Sequence, residues 1–394
     1  MLIVAATDYE GMRVVPARKF SAEPAPRGTT AAASRGPVHV LLVAPFAARG
    51  GGMGRIMAYL ATQGAEGVRF EMVESRGNGP AITSSWYLLR AGARIVAAAS
   101  RATPSVVHLN MAERSSVLRK GLLLLLARLL GLPTLLHLHA AEIIPFYQRL
   151  HPPGRALLGM IFRAANVCVV LGEPWRAWLA DGLRVAPARI VVLRNGVAVP
   201  AITHRASAAD GFTFVFLGNL LARKGLPDLL RALAEPRLAD KRWRLVVAGG
   251  GDAKALRRLA QSLNISARVH FAGWLDRAAA DAVLAGADAL VLPSHHEALP
   301  LVLLEAAGLG VPVIATPVGA IPELFRDGES ALLVPPGDHV ALSAALHRLL
   351  SEPECCELLS RNGRALYQRE FAVASFAEGL RRLYVDLAAA KRPV

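Results

Sequence analysis

Cysteine is scarce in this chain: three in 394 residues, at Cys168, Cys355 and Cys356. An odd number, two of them adjacent, excludes a disulfide framework and points to a reducing compartment. Aromatic residues make up only 6%, and neither stacking platforms nor a base-reading helix is evident, which argues against a nucleic-acid binder. Long apolar runs are missing too. The greasiest, 121–131, is interrupted by Arg128, bounded by Lys120 and Pro133, and reaches about half the length that crosses a bilayer. Met1–Ala6 is followed at once by Asp8 and Glu10, which does not suit a secretory signal.

Acid is short in one half only. Residues 1–200 hold 23 Lys and Arg against 10 Asp and Glu, whereas residues 201–394 hold 22 against 20. A coding bias toward arginine would not leave the second half balanced. The asymmetry instead suggests that the first half meets something anionic, such as phospholipid headgroups, a pyrophosphate-linked acceptor or nucleic acid.

What is present is apolar bulk, 53% of residues, in a chain too long for one typical core. Short β-branched runs alternate with Leu/Ala/Arg segments of helical spacing. Strands are expected at 38–44, 69–73, 105–110, 134–139, 167–171 and 189–193, then at 212–217, 244–248, 268–272, 289–293, 312–316 and 331–334. Nearly continuous apolar runs such as Phe212–Leu217 suit strands buried on both faces of a parallel sheet. The fold class is therefore α/β, with two Rossmann-like doubly wound domains. The expected divisions are a mobile leader over 1–36, an N-terminal domain over 37–198, a C-terminal domain over 199–371, and a final helical segment over 372–394 that crosses back. Two such domains facing across a cleft place ligands at strand C-terminal ends.

The loops there hold the chemical candidates. After the first strand, Gly51, Gly52 and Met53 lie in a glycine-rich loop that is either an anion cradle or a flexible turn; it matches neither Gly-x-Gly-x-x-Gly nor a P-loop. His137 and His139 share one side of their strand. A metal would need a third ligand, with Glu142 the near candidate, so hydrogen-bonded structural histidines or a cleft-facing His139 are the better readings. Past Gly218 and Asn219, Arg223 and Lys224 precede a helix starting near Pro227 and Asp228, where cations can neutralise a departing diphosphate or stand as an ordinary solvated pair. Gly249–Gly251 can let a backbone approach a ligand or form a tight turn. Val269–Gly273 offers backbone amides for a nucleobase edge.

Glu297 and Glu305 bracket an apolar run, Ala298–Leu304. Were 297–305 one helix, the acids would stand about 12 Å apart and roughly 80° out of phase. With Glu297 in a loop and a helix beginning near Pro300 and Leu301, both can face one cleft. Two acceptors suit a polyol, sugar or ribose, and the backbone from Leu299 and Pro300 through Leu301 to Val302 can reach phosphate or sugar oxygens. The alternatives are a helix-dipole partner for Glu305 and, for Glu297, a structural turn or a metal cluster with His295 and His296, whose diverging side chains make a poor chelate.

In this order the motifs closely resemble the signature of the retaining nucleotide-sugar glycosyltransferases of family 4, with the GT-B fold. The resemblance rests on the run 293–314, on 319–323 and 327–338, and on Arg194–Val197, Lys224-Gly225 and Val269–Gly273. It implies that Glu305 holds the ribose hydroxyls and that Glu297 faces the donor sugar. Lys224 then steadies the diphosphate, Gly51–Met53 close over donor and acceptor, and His139 lies near the reacting sugar. It also implies no cofactor and no metal, with a UDP- or GDP-sugar as substrate. Where the family often has Gly-Arg, this chain has Gly218-Asn219, and Arg223 stands four positions on as a substitute.

The expected function is a retaining transfer to a lipid-linked or oligosaccharide acceptor in exopolysaccharide or cell-envelope glycan assembly. Its setting is the cytoplasm, peripheral on the inner face of the membrane through the basic N-terminal domain. The alternative is a non-catalytic nucleotide-sugar sensor or scaffold. A dehydrogenase would need the glycine fingerprint that is missing.

Overall fold

The computed structural model describes residues 37–46, 51–64, 66–77, 81–101, 103–199 and 211–390. The leader at 1–36 and most of the linker, 200–210, lie outside the described residues.

The first half runs β1 (Val38–Ala44), α1 (Gly51–Gln63), β2 (Val68–Glu74), α2 (Ala81–Ala99), β3 (Ser105–Met111) and α3 (Ser115–Leu129). It continues with β4 (Thr134–Leu138), α4 (Ile143–Arg149), α5 (Pro152–Ala164), β5 (Val167–Val170), α6 (Glu173–Ala177) and β6 (Ile190–Val192). The second half runs β7 (Phe212–Leu217), α7 (Leu226–Leu233), β8 (Trp243–Ala248), α8 (Lys254–Ser262), β9 (Val269–Gly273) and α9 (Arg277–Ala285). Then come β10 (Ala289–Leu292), α10 (Leu301–Leu309), β11 (Val313–Ala315), α11 (Ile321–Leu324) and β12 (Leu332–Leu333). Three helices close the chain: α12 (His339–Ser351), α13 (Pro353–Glu370) and α14 (Val373–Ala390).

The strands form two parallel six-stranded sheets, ordered β2-β1-β3-β4-β5-β6 and β12-β11-β10-β7-β8-β9. Continuous apolar strands fit this because helices cover both faces; Val40–Ala44 and Phe214–Phe216 are fully buried. In each sheet the winding direction reverses once, between β1 and β3 and between β7 and β10. Those switch points open a crevice at the strand ends. The loops after β7 and β10 carry Gly218, Asn219, Arg223, Lys224 and Glu297, and the helix after β1 begins with Gly51, Gly52 and Met53.

Expected and observed strands differ mainly at their ends. β4 stops at Leu138, and His139 just beyond it still donates its backbone N–H to Met111 O at 2.9 Å. The 189–193 run yields a three-residue β6, because Pro187–Arg189 is taken up by a short 3-10 turn.

α14 lies against β1, β3 and α1 of the first sheet. Its buried stripe, Phe376, Leu380, Tyr384 and Leu387, has the spacing of one helix face. Tyr384 is fully buried, and its hydroxyl lies 2.6 Å from His108 Nδ1 on β3. The segment joining the two sheets is clasped by the same region. Val197 N–H donates to Phe371 O at 2.9 Å, and Tyr367 Oη donates to Val197 O at 2.9 Å. Gly196 permits this approach, since a Cβ there would stand 2.9 Å from Val373 Cα.

Replacing Tyr384 with Phe keeps the packing but strands the His108 ring nitrogen. Tyr384→Phe is expected to lower stability by about 1–2 kcal/mol, read as a drop in the urea midpoint; an unchanged midpoint contradicts the role given to this bond.

Candidate active site

The loop from β10 to α10 is pinned along its length. His295 N–H donates to Arg223 O at 2.7 Å, and Ala320 N–H donates to Ala298 O at 3.0 Å. Arg223 Nη1 donates to His296 O at 2.6 Å, and Thr316 Oγ1 to Ser294 O at 2.5 Å. Two glycines make the fit possible. Gly225 has φ +69° and a Cβ there would stand 1.9 Å from Pro293 O; Gly319, at φ +62°, would collide with Glu297 O at 2.2 Å. Side chains at these points would push the loop out of place.

Glu297 sits in this loop, 6% exposed. Its Oε1 accepts a short hydrogen bond from Lys224 Nζ and another at 2.8 Å from Ser294 Oγ. Its Oε2 lies 3.5 Å from Arg223 Nη1. A buried carboxylate needs such partners, and three converge on it. Arg223 and Lys224 lie in a 3-10 turn, Ala222–Lys224, ahead of α7. His295 is engaged elsewhere, with Nε2 2.8 Å from Asp228 Oδ2, so the His295-His296-Glu297 run forms a structural turn. Among the described residues no cluster of His, Cys, Asp or Glu could hold a metal.

Glu305 lies on α10 and is 3% exposed. Two arginines reach it, one from each half of the chain. Arg277 Nη1 donates to Oε1 at 2.6 Å; Arg55 Nη1, from α1, donates to Oε1 at 2.9 Å and to Oε2 at 3.2 Å. Arg277 also pairs with Asp281 at 2.6 Å and lies over the Tyr59 ring at 5.7 Å. Burial raises the Asp281 carboxyl above the usual carboxylate range against the pull of Arg277. Arg55, Tyr59, Arg277 and Asp281 escaped the sequence reading. Their only local signal is the Asp276 cap of α9, whose side chain accepts from Ala279 N–H, with the Arg277/Asp281 pair one turn apart behind it.

The histidines form a column. The rings of His137 and His139 are 4.0 Å apart and those of His108 and His137 5.4 Å. His139 heads it at the strand end, with Nε2 2.9 Å from Asn110 Oδ1. Burial pushes the His139 and His108 pKa values down to about 3, and His137 well below its ordinary value. These rings are therefore neutral. Neither ring nitrogen of His137 has a partner among the described residues.

Other candidates move. Gly51, Gly52 and Met53 are the first turn of α1 rather than a loop. Gly54 serves close approach, since a Cβ there would stand 2.5 Å from Pro45 O, whereas one at Gly52 would make an ordinary contact with Leu301 at 3.4 Å. Val269 starts β9 and packs in the core. It lies about 13 Å from the cleft end of a five-residue strand, where Gly273 stands instead. Gly218 and Asn219 face the second glycine loop. Leu220 N–H donates to Gly250 O at 2.8 Å, and a Cβ at Gly249 would hit Gly218 O at 1.8 Å, so Gly249–Gly251 allow two strand-end loops to pack. Leu299 and Leu301 are buried side chains and Pro300 caps α10. Their backbone leaves the N–H groups of Leu301 and Val302 among the unpaired donors of a helix start.

A model of Glycosyltransferase Family 4 matches residues 38–199, and one of Glycosyl transferases group 1 matches residues 203–366. The lipopolysaccharide core biosynthesis glycosyltransferase LpsD of Rhizobium meliloti is 33% identical over 184 residues, 47% of this chain and 52% of that protein. Sucrose-phosphate synthase from Thermosynechococcus elongatus superposes with a TM-score of 0.74 at 23% identity, covering 90% of this chain and 100% of that one. The Anabaena protein HepE in complex with UDP-glucose gives 0.70 at 15%, covering 88% and 99%. The chain spans about half the length of the curated relatives it matches.

Two outcomes are expected. Lys224→Met alone leaves Glu297 short of its strongest partner, and the loss of stability should reach about 3 kcal/mol. Adding Glu297→Leu should restore most of it, measured as a double-mutant cycle in urea. The histidine column sets an acid limit. Because the folded pKa values lie below the ordinary 6.5, the unfolded chain binds more protons as pH falls from 6.5 toward 3, and stability is lost across that window. His137→Leu should shrink the difference between urea midpoints at about pH 7 and about pH 4.5; an undiminished difference would place the acid sensitivity elsewhere.

Proposed function

We propose that this chain, which the family 4 model matches over 38–199 and the group 1 model over 203–366, is a glycosyltransferase of GT-B fold that transfers a sugar from a nucleotide-sugar with retention at the anomeric carbon. The observation that carries this reading is the pairing of two buried acids at the β10–α10 junction with cations at the same strand-end crevice.

In the proposed complex, Glu305 accepts hydrogen bonds from the ribose hydroxyls, with Arg277 holding its carboxylate and Arg55 yielding its place. Glu297 faces hydroxyls of the donor sugar. The diphosphate lies against the free N–H groups of Leu301 and Val302 and against Arg223 and Lys224. Lys224 spends one N–H on Glu297 and keeps two for phosphate oxygens. Arg223 takes over the charge that Asn219 lacks. As the bond from the anomeric carbon to the phosphate oxygen breaks, these cations stabilise the developing charge without a metal. The acceptor hydroxyl attacks from the same face, and its proton passes to the leaving diphosphate oxygen. His139, neutral and oriented by Asn110, offers a hydrogen bond near the reacting sugar. Neither acid needs to serve as nucleophile or proton donor, in contrast to a glycosidase pair.

The donor is a UDP- or GDP-sugar; HepE with UDP-glucose favours the former. The acceptor is lipid-linked or an oligosaccharide in exopolysaccharide or envelope assembly, as the LpsD relative suggests. The basic first half suits a cytoplasmic protein peripheral on an anionic membrane surface; no helix among the described residues is long and apolar enough to cross one. Donor binding without turnover would mark the alternative, a nucleotide-sugar sensor.

With a panel of nucleotide-sugars and membrane extract, one donor should release its nucleoside diphosphate, and Lys224→Ala should lower kcat about 10²–10³-fold. A full panel without diphosphate release would reject the transferase reading.

A further inference from the structure

Large apolar side chains are exposed unevenly. Among the described residues they gather on α2, α3 and α5, while the second half shows only scattered ones such as Leu221 and Val340. On α2, Trp86 is 65% exposed and Leu89 69%, with Val96 further along the same stripe. On α3, Leu118, Leu122 and Leu129 repeat at helical spacing, Leu129 being 84% exposed. Leu157 and Met160 continue the pattern on α5. Spacing of three, four and seven residues puts each set on one outward face.

These helices lie side by side, with α3 in the middle. Gly121 lets α3 close on α5, since a Cβ there would stand 2.5 Å from Ile161 Cδ1, and Gly92 of α2 faces Leu126 of α3. The outward stripes therefore join into one face. Exposed apolar area of this extent marks a surface that something covers.

Charge identifies what covers it. The three helices carry seven Lys and Arg and no Asp or Glu. Arg90, Arg94, Arg128, Arg155 and Arg163 are exposed, and only Arg94 of these meets a carboxylate among the described residues, Glu71 at 3.4 Å. A second copy docked on this face would set like charges against each other. A nucleic acid would use the arginines but leave the aliphatic stripes against water. A bilayer of anionic lipid uses both: guanidinium groups meet headgroup phosphates, leucines enter the acyl boundary, and Trp86 suits the interface.

We propose that the outer face of α2, α3 and α5 is a docking surface for an anionic lipid bilayer, on which the protein lies without spanning it. The inference deepens the membrane-borne acceptor reading above and rests on it for its purpose, though not for its physics.

The test is co-sedimentation of the full chain with vesicles of phosphatidylcholine alone or with about 30 mol% phosphatidylglycerol, with binding of UDP and GDP measured calorimetrically beside it. Wild type should bind the anionic vesicles and bind neutral ones at least about tenfold more weakly. Leu89→Asp with Leu122→Asp should lose about tenfold or more on anionic vesicles at an unchanged melting temperature. Arg90→Glu with Arg128→Glu should abolish the preference for anionic lipid. Absence of vesicle binding, or apolar variants that bind like wild type, would overturn the proposal. So would a sedimentation velocity in which wild type is a dimer and Leu89→Asp a monomer, with no lipid bound. Vesicle binding without nucleotide binding would support the surface and count against the nucleotide-sugar site; nucleotide binding without vesicle binding would overturn the surface and leave that site standing.

Discussion

Burying a carboxylate costs several kcal/mol unless charge and hydrogen bonds compensate it, and this fold buries two at one junction. Glu297 and Glu305 are held by partners from elements far apart in the chain: Lys224 and Arg223 after β7, Arg277 at the start of α9, and Arg55 in α1. Each acid thereby ties the β10–α10 junction to a different part of the molecule. Glu305 joins the two halves, since Arg55 belongs to the first sheet's helices and Arg277 to the second's. The network can stay buried because its cations supply what water otherwise would. For the same reason a ligand that enters must replace those bonds one for one.

Topology makes this possible. A parallel sheet that reverses winding direction leaves a crevice between the two loops at its switch point. In the second sheet those loops follow β7 and β10, and they hold Arg223, Lys224 and Glu297. In the first sheet the loop after β1 leads into Arg55. The close packing that brings them together relies on Gly225, Gly249 and Gly319, whose neighbours are backbone atoms within 2.2 Å of any Cβ. The final helix, through Tyr384 and Phe376, fastens the first sheet and the histidine column beneath it.

Much of the fold was legible in the sequence. Phe212–Leu217 reads as a strand because five of its six residues are large and apolar, and the structure has the same bounds. The alternation of His137 and His139 foretold adjacent rings; His108 completed the column from β3, and only the sheet order reveals it. The pairing of acids with arginines was hidden because it spans 250 residues in one case and 28 in the other. Glycine at 51 and 52 reads as a loop because local propensity favours one, whereas both lie in the first turn of α1, and it is the neighbouring Gly54, against Pro45 O, that has no room for a Cβ. Val269 was misplaced at the ligand edge although a parallel strand offers its C-terminal end, here Gly273, to the crevice.

On the proposed reading, Glu305 exchanges its Arg55 contact for the hydroxyls of a ribose. The most direct measurement compares the affinity of the preferred nucleoside diphosphate with that of its 2′,3′-dideoxy analogue, in wild type and in Glu305→Gln. Removing the hydroxyls should cost wild type about tenfold or more in affinity and the variant much less. An equal loss in both proteins would mean that another group holds the ribose.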